Sequence, residues 1–214
     1  MSVLYNMDIF SALKIIYGEQ TDGFSEEDFE TNERERGLVL PEILKRFLRD
    51  YGYMSINRLS GSAKFLHPNI MSKRYFSYVD NPKLPLTIIG RAGEYLVGIA
   101  TAKRPDPEIY LIMQSPEEVK LLPSDDTISE IIKVMLCGVL LKNDNAVTVD
   151  SPRRAVQLLK ENSVDVEEIH NSPILRREYS ICFTEETRTF TVAEFVDGTL
   201  LRFFFVRDEH YIHT

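Results

Sequence analysis

The 214-residue chain has no tryptophan, two cysteines and four histidines. So few thiols and imidazoles exclude a thiolate metal cluster and a disulfide framework. Long apolar runs are missing too, since the longest uncharged one, Val134 to Leu141, spans eight residues. A membrane-crossing helix needs roughly 20. Positive charge is in deficit: 25 Lys and Arg face 33 Asp and Glu, a formal net charge of -8. Such a field disfavours nucleic-acid binding through bulk charge. The segment Met1 to Asp8 has no basic flank and meets an acid before any long apolar stretch, so it does not read as a secretory signal. The expectation is a soluble cytoplasmic chain. In it Cys137 and Cys182, able to pair in principle, read as free thiols that act as small packing residues.

What is present is ordinary for a globular protein, with 43% apolar and 27% charged residues. At this mass roughly 72% of the extended chain's surface can be buried on folding, enough for a core without staples. Ile9, Phe10, Leu13, Ile16 and Tyr17 recur at helical spacing before Gly18. From Glu19 to Glu35 eight of seventeen residues are acidic and Arg34 is the sole base. Within that run Ser25 and Asp28 form a capping-box signature for a polar helix. Pro41 is expected at the first position of the next helix, whose stripe is Ile43, Leu44, Phe47, Leu48 and Tyr51 and which ends at Gly52.

The stretch between Asp50 and Asp80 has no acid, so charge is segregated along the chain. Strands are expected at Leu86 to Ile89, Tyr95 to Ala100 and Ile109 to Met113, with a fourth at Val119 to Leu122, as an antiparallel meander. Thr127 with Glu130 suggests a second capping box, opening a helix with Ile128, Ile131, Ile132, Met135, Leu136, Val139 and Leu140 inward. Residues 142–150 read as a linker. A shorter helix after Ser151-Pro152 and three strands follow, at Tyr179 to Phe183, Thr189 to Val196 and Thr199 to Val206. The last two are joined by the hairpin signal Asp197-Gly198. The elements do not alternate as βαβ units do, so α+β is the expected class.

Catalytic and ligand motifs are thin. Gly90-Arg91-Ala92-Gly93 lacks the lysine of a phosphate loop, and Gly61-Ser62-Ala63-Lys64 lacks its glycine spacing. No nucleophile elbow exists. His210 and His213, beside Glu209, are an unmatched pair and read as a solvated tail, so no metal or cofactor is expected. Asp125 with Asp126 reads as a helix-terminal pair. Lys73-Arg74-Tyr75-Phe76-Ser77-Tyr78 mixes base and aromatic but lacks the glycine of an RNA-stacking strand, which leaves a packed strand or loop. The acidic run has two readings, a solvated face or a patch that steers a basic protein partner.

The stretch Gly37-Leu38-Val39-Leu40-Pro41 followed by Glu42 to Gly52 resembles the G-x-x-L-P, apolar helix, y-G signature of the SMI1/KNR4 (SUKH) superfamily. Glu94 to Ile99, then Asp106-Pro107-Glu108-Ile109-Tyr110, then Thr127 to Leu141 resemble the family's later order of strand, D-P strand and amphipathic helix. The resemblance implies an α+β domain over residues 1–142, a mostly antiparallel sheet flanked by helices. Residues 143–214 are then a C-terminal extension of one helix and three strands. It also implies a non-enzymatic protein-binding module, an immunity protein that neutralises a cognate polymorphic toxin. The alternative is a regulatory or scaffolding protein that binds cellular partners without a toxin. The expected partner is a protein, such as a basic toxin domain, rather than nucleic acid or membrane. Candidate contacts are Glu26, Glu27, Asp28 and Glu30, and a candidate pocket lies beside Glu94, Tyr95 and Tyr110.

Overall fold

The computed structural model describes residues 5–6, 8–18, 23–52, 63–78, 81–100, 104–115, 118–140, 147–148, 154, 157, 170–172, 177–184, 189–196 and 199–207. In chain order the elements are β1 (Tyr5–Asn6), α1 (Ile9–Tyr17), α2 (Glu26–Arg36), α3 (Glu42–Tyr51) and β2 (Ala63–Phe65). A single 3-10 turn (Pro68–Ile70) precedes β3 (Ser72–Tyr78), β4 (Asn81–Ala92), β5 (Tyr95–Ile99), β6 (Glu108–Gln114) and β7 (Val119–Thr127). Then come α4 (Ile128–Leu140), β8 (Val147–Thr148), β9 (His170–Ser172), β10 (Arg177–Thr184), β11 (Thr189–Val196) and β12 (Thr199–Arg207). All strand pairings are antiparallel and helices and strands are segregated, so the class is α+β.

By contact the chain forms two compact units, one of Gln20–Met135 and one of Met1–Glu19 with Leu136–Thr214. The sequence pattern draws its boundary near residue 142; contact groups the first nineteen residues with the C-terminal segment. In that unit the sheet order is β1-β10-β11-β12-β8, and β9 also pairs with β10. Asp8 starts α1 by accepting from the backbone N–H of Phe10 at 3.2 Å and Ser11 at 3.0 Å. Part of the expected linker is a strand, because β-branched Val147 and Thr148 pair with Phe203 and Arg202 along the open edge of β12. The tail histidines, the Asp197-Gly198 turn and the side chains of Cys137 and Cys182 lie outside the described residues. So does most of the helix expected after Pro152, of which Arg154 and Gln157 are described as helical.

In the Gln20–Met135 unit the sheet order is β2-β4-β5-β6-β7, with β3 paired to β4. The meander is as patterned, but β4 is longer at both ends. Residues 81–86 of β4 pair with β3 alone, and β5 joins only from Thr87. Pro82 and Pro85, which have no N–H to give, therefore sit where one edge needs no ladder bond. β7 runs on through Pro123 to Thr127, and it too is an edge strand. The β4–β5 hairpin turns on Gly93 at φ 56°, a left-handed conformation that glycine adopts without steric cost.

The helical side of this unit is built on α3. Leu44, Phe47, Leu48 and Tyr51, at i, i+3, i+4 and i+7, are its buried stripe. The Phe47 ring meets Phe65 of β2 edge to face, with centroids 5.3 Å apart. Pro41 stands one position earlier than expected. At ψ 144° it is extended and acts as the N-cap, its carbonyl accepting from Leu44 at 3.0 Å and Lys45 at 3.1 Å.

The start of α4 uses a residue distant in sequence. Ser129 N–H and Thr127 Oγ1 donate to Asp106, at 3.2 and 2.9 Å. The helix is thus capped by the loop before β6. The Thr127 hydroxyl donates to that carboxylate, and Glu130 lies 3.9 Å from Lys133. Asp126 is buried at the end of β7, two residues before α4, where the Ser124 hydroxyl donates to it at 2.8 Å.

Candidate functional site

The acidic run folds as α2, a helix with only Phe29 and Asn32 buried. So narrow an apolar stripe leaves its ends to stabilise it. At the start, Asp28 N–H donates to Ser25 Oγ at 3.2 Å and Ser25 N–H donates back to Asp28 Oδ2 at 2.9 Å. At the end Gly37 takes the left-handed cap at φ 60°, and its N–H donates to Glu33. Hydrogen bonds from the Ser25 hydroxyl and then from its backbone N–H stabilise the Asp28 carboxylate and hold its pKa below the ordinary value.

Not all of this charge is open to solvent chemistry. Glu33 is half-buried, accepting from Leu40 N–H at 2.6 Å and from Lys45 Nζ at 3.0 Å. Glu26 pairs with Arg49 at 2.7 Å, and Arg49 also reaches Glu42 at 3.5 Å. These two acids fasten α2 to α3. Glu27, Glu30 and Glu35 are exposed and form no ion pair among the described residues.

Between α2 and the 3-10 turn lies an open cleft of about 350 Å³. Glu27, Asp28, Thr31, Asn32, Glu35 and Arg36 line it from the helix and Asn69 from the turn. The turn is placed by His67, whose Nδ1 accepts from Asn69 N–H at 3.1 Å and whose ring meets Phe24 edge to face at 4.5 Å. Asn32 joins the two walls, its Nδ2 donating to Asp28 O at 2.6 Å and Asn69 Oδ1 at 2.9 Å. Arg36 Nη1 donates to the Met71 carbonyl at 3.4 Å. Three carboxylates against one guanidinium make the cleft electronegative.

The expected contact residues are therefore divided. Glu27 and Asp28 line the cleft, Glu26 faces α3, and Glu30 is exposed outside both groups. Sequence reading passed over Thr31, Asn32, Glu35 and Asn69. Helical spacing from Glu27 and Asp28 points to the first three. Nothing local points to Asn69, which is 37 residues from Asn32.

The second group does not converge. Gly98 is the partner of Tyr110 and Leu96 the partner of Ile112, so Tyr110 shares a sheet face with Leu96. Tyr95, one residue from Leu96, falls on the other face. Glu94 is exposed in the β4–β5 turn. The basic aromatic segment is β3, with exposed Tyr75 under the Lys73 ammonium at 6.0 Å. Gly90 to Ala92 belong to β4, and Ala63 and Lys64 to β2. Among the described residues no group of three or more His, Cys, Asp or Glu is placed to hold a metal ion. No described helix is long and apolar enough to cross a membrane. Comparison with protein-family models, curated proteins and solved structures finds no match.

Proposed function

We propose that this chain is a non-enzymatic protein-binding module of SMI1/KNR4 type, an immunity protein that acts in the cytoplasm by occluding a basic toxin domain. The observation that carries the reading is the set of open carboxylates, Glu27, Glu30 and Glu35, on a helix fixed at both ends by caps and tied to α3 by Glu26 and Glu33. A rigid, charged face of this kind raises the encounter rate with an oppositely charged partner and fixes its register without any reacting group. An interface of ordinary size, about 1,600 Å², would extend well beyond α2.

The test is co-expression with the product of the adjacent gene, scored as rescue of growth and recovery of a stable complex. Reversing Glu27, Glu30 and Glu35 to Lys is expected to abolish rescue and flatten the salt dependence of association. Glu26→Gln is expected to leave both close to wild type, because that carboxylate is engaged with Arg49. Rescue that survives the triple reversal refutes the α2 surface. A toxin-free partner recovered through the same surface favours the regulatory alternative.

A further inference from the structure

The β3–β4 hairpin has two unlike edges. Along residues 81–86 of β4 the side away from β3 carries no strand, and there Pro85 has no N–H to offer. Because Pro85 cannot exchange ladder bonds, its pair with Tyr75 is of the non-hydrogen-bonded kind, in which both residues turn N–H and C=O away from each other. Lys73, opposite Thr87, is in the same phase, and Thr87 on its far side meets Ile99 of β5. Lys73 and Tyr75 therefore direct two N–H and two C=O groups to the free side of β3, where no proline interrupts the strand. Among the described residues nothing pairs with them there. Lys73, Arg74 and Tyr75 are exposed in succession, so both faces are open as well as the edge, and Tyr75 is 66% exposed.

We infer that this edge of β3 is a docking site for an extended acidic segment of a protein partner, which adds to the sheet as a further strand and sets a carboxylate beside each of Lys73 and Arg74. The site is opposite in charge to α2 and does not depend on the reading of that helix. Lys73 and Arg74 project to opposite faces, and neither has an ion pair among the described residues. The Lys73 ammonium instead stands 6.0 Å over the Tyr75 ring. No acid occurs between Asp50 and Asp80, and at physiological salt charges more than about 8 Å away are screened, so the local cations set the preference. Two other occupants fit less well. The self-pairing register that uses both Lys73 and Tyr75 sets Arg74 against Arg74 of a second copy, like charges directly opposite. A phosphate backbone would meet the cations and N–H groups but has no donor for the two carbonyls, whereas a peptide strand supplies donors and acceptors together.

The probe is the acetylated, amidated hexapeptide Thr-Val-Glu-Glu-Val-Thr, whose adjacent acids fall on opposite faces of a strand. It is titrated into the full chain and followed by amide resonances and hydrogen exchange. Saturable shifts over Ser72 to Phe76 are expected, with exchange at the Lys73 and Tyr75 amides slowed about tenfold at saturation. The peptide with Gln-Gln in place of Glu-Glu is expected to bind about tenfold more weakly, and so is the parent peptide to the Lys73→Gln, Arg74→Gln double variant, which breaks no ion pair. A form N-methylated at its four central residues, which keeps the charge and loses the ladder, is expected not to bind. Unchanged affinity for the Gln-Gln peptide or in the double variant overturns the inference, as does binding of the N-methylated form equal to that of its parent. Oligouridylate that shifts the same amides and binds more tightly than the peptide overturns it in favour of nucleic acid. A chain that dimerises through β3 without the probe overturns it in favour of a second copy.

Discussion

Replacing Asp106 by alanine tests the least local feature of the fold. Its carboxylate holds the start of α4 through Ser129 N–H and the Thr127 hydroxyl, at 3.2 and 2.9 Å. Losing a side-chain cap costs about 1 kcal/mol, and losing a negative charge at a helix N-terminus adds about 0.3–1 kcal/mol. The half-buried Thr127 hydroxyl can turn to water, so its own penalty is small. The sum is about 1.3–2 kcal/mol. With a urea slope of roughly 2 kcal/mol/M, the midpoint should fall by about 0.7–1 M. Asp106→Asn keeps one oxygen for Ser129 N–H and turns an amide N–H to the Thr127 hydroxyl, which can accept it, so mainly the charge is lost and the midpoint should fall by at most half as much. The chain has no tryptophan, so tyrosine fluorescence reports unfolding. Hydrogen exchange should quicken first at Ile128 to Ile132. If alanine and asparagine lower the midpoint equally, or neither does, Asp106 does not cap α4.

Two further outcomes follow from α2. The folded pKa of Asp28 is depressed, so its contribution to stability is fully present above the unfolded value of about 3.9 and is lost as pH falls through the folded value. Asp28→Asn should therefore remove part of the acid-unfolding limb below about pH 4 and leave the neutral limb's shape unchanged, as read from denaturation midpoints across pH. Gly23→Ala should destabilise sharply, because an added Cβ would overlap the carbonyl of Arg49 at the end of α3. A melting temperature within 1 °C of wild type, an order-of-magnitude bound for a change under about 0.3 kcal/mol, would contradict that packing.

What could be read without the structure was local. The Leu44, Phe47, Leu48 and Tyr51 stripe, the Ser25–Asp28 box and the β4 to β7 meander each lie within one window of period or spacing, and each is formed. The failures share a cause. Asp106 caps a helix more than twenty residues away, and Asn69 meets Asn32 across thirty-seven. The spacing of Thr127 and Glu130 marks a helix start but says nothing of Asp106. Tyr95 and Tyr110 looked like neighbours because their strands are neighbours; the two-residue strand period sends them to opposite faces. β4 and β7 run on past the expected limits through Pro82, Pro85 and Pro123, because an edge position, which tolerates proline, is a property of the sheet and not of the strand.

The acidic run shows the same limit in electrostatic terms. Eight acids between Glu19 and Glu35 suggest one broad patch. In the fold Glu26 and Glu33 are met by Arg49 and Lys45, so that pair of carboxylates carries little field beyond α3. Asp28 is charged but fixed at the helix N-terminus, where the dipole offsets it. Of the six acids in α2, Glu27, Glu30 and Glu35 remain, and with a screening length of about 8 Å at physiological salt they act only on a partner already close. Steering by this helix should then depend on about three of its charges, and it should be lost between low and physiological salt. Residual affinity at high salt must come from contacts that exclude water.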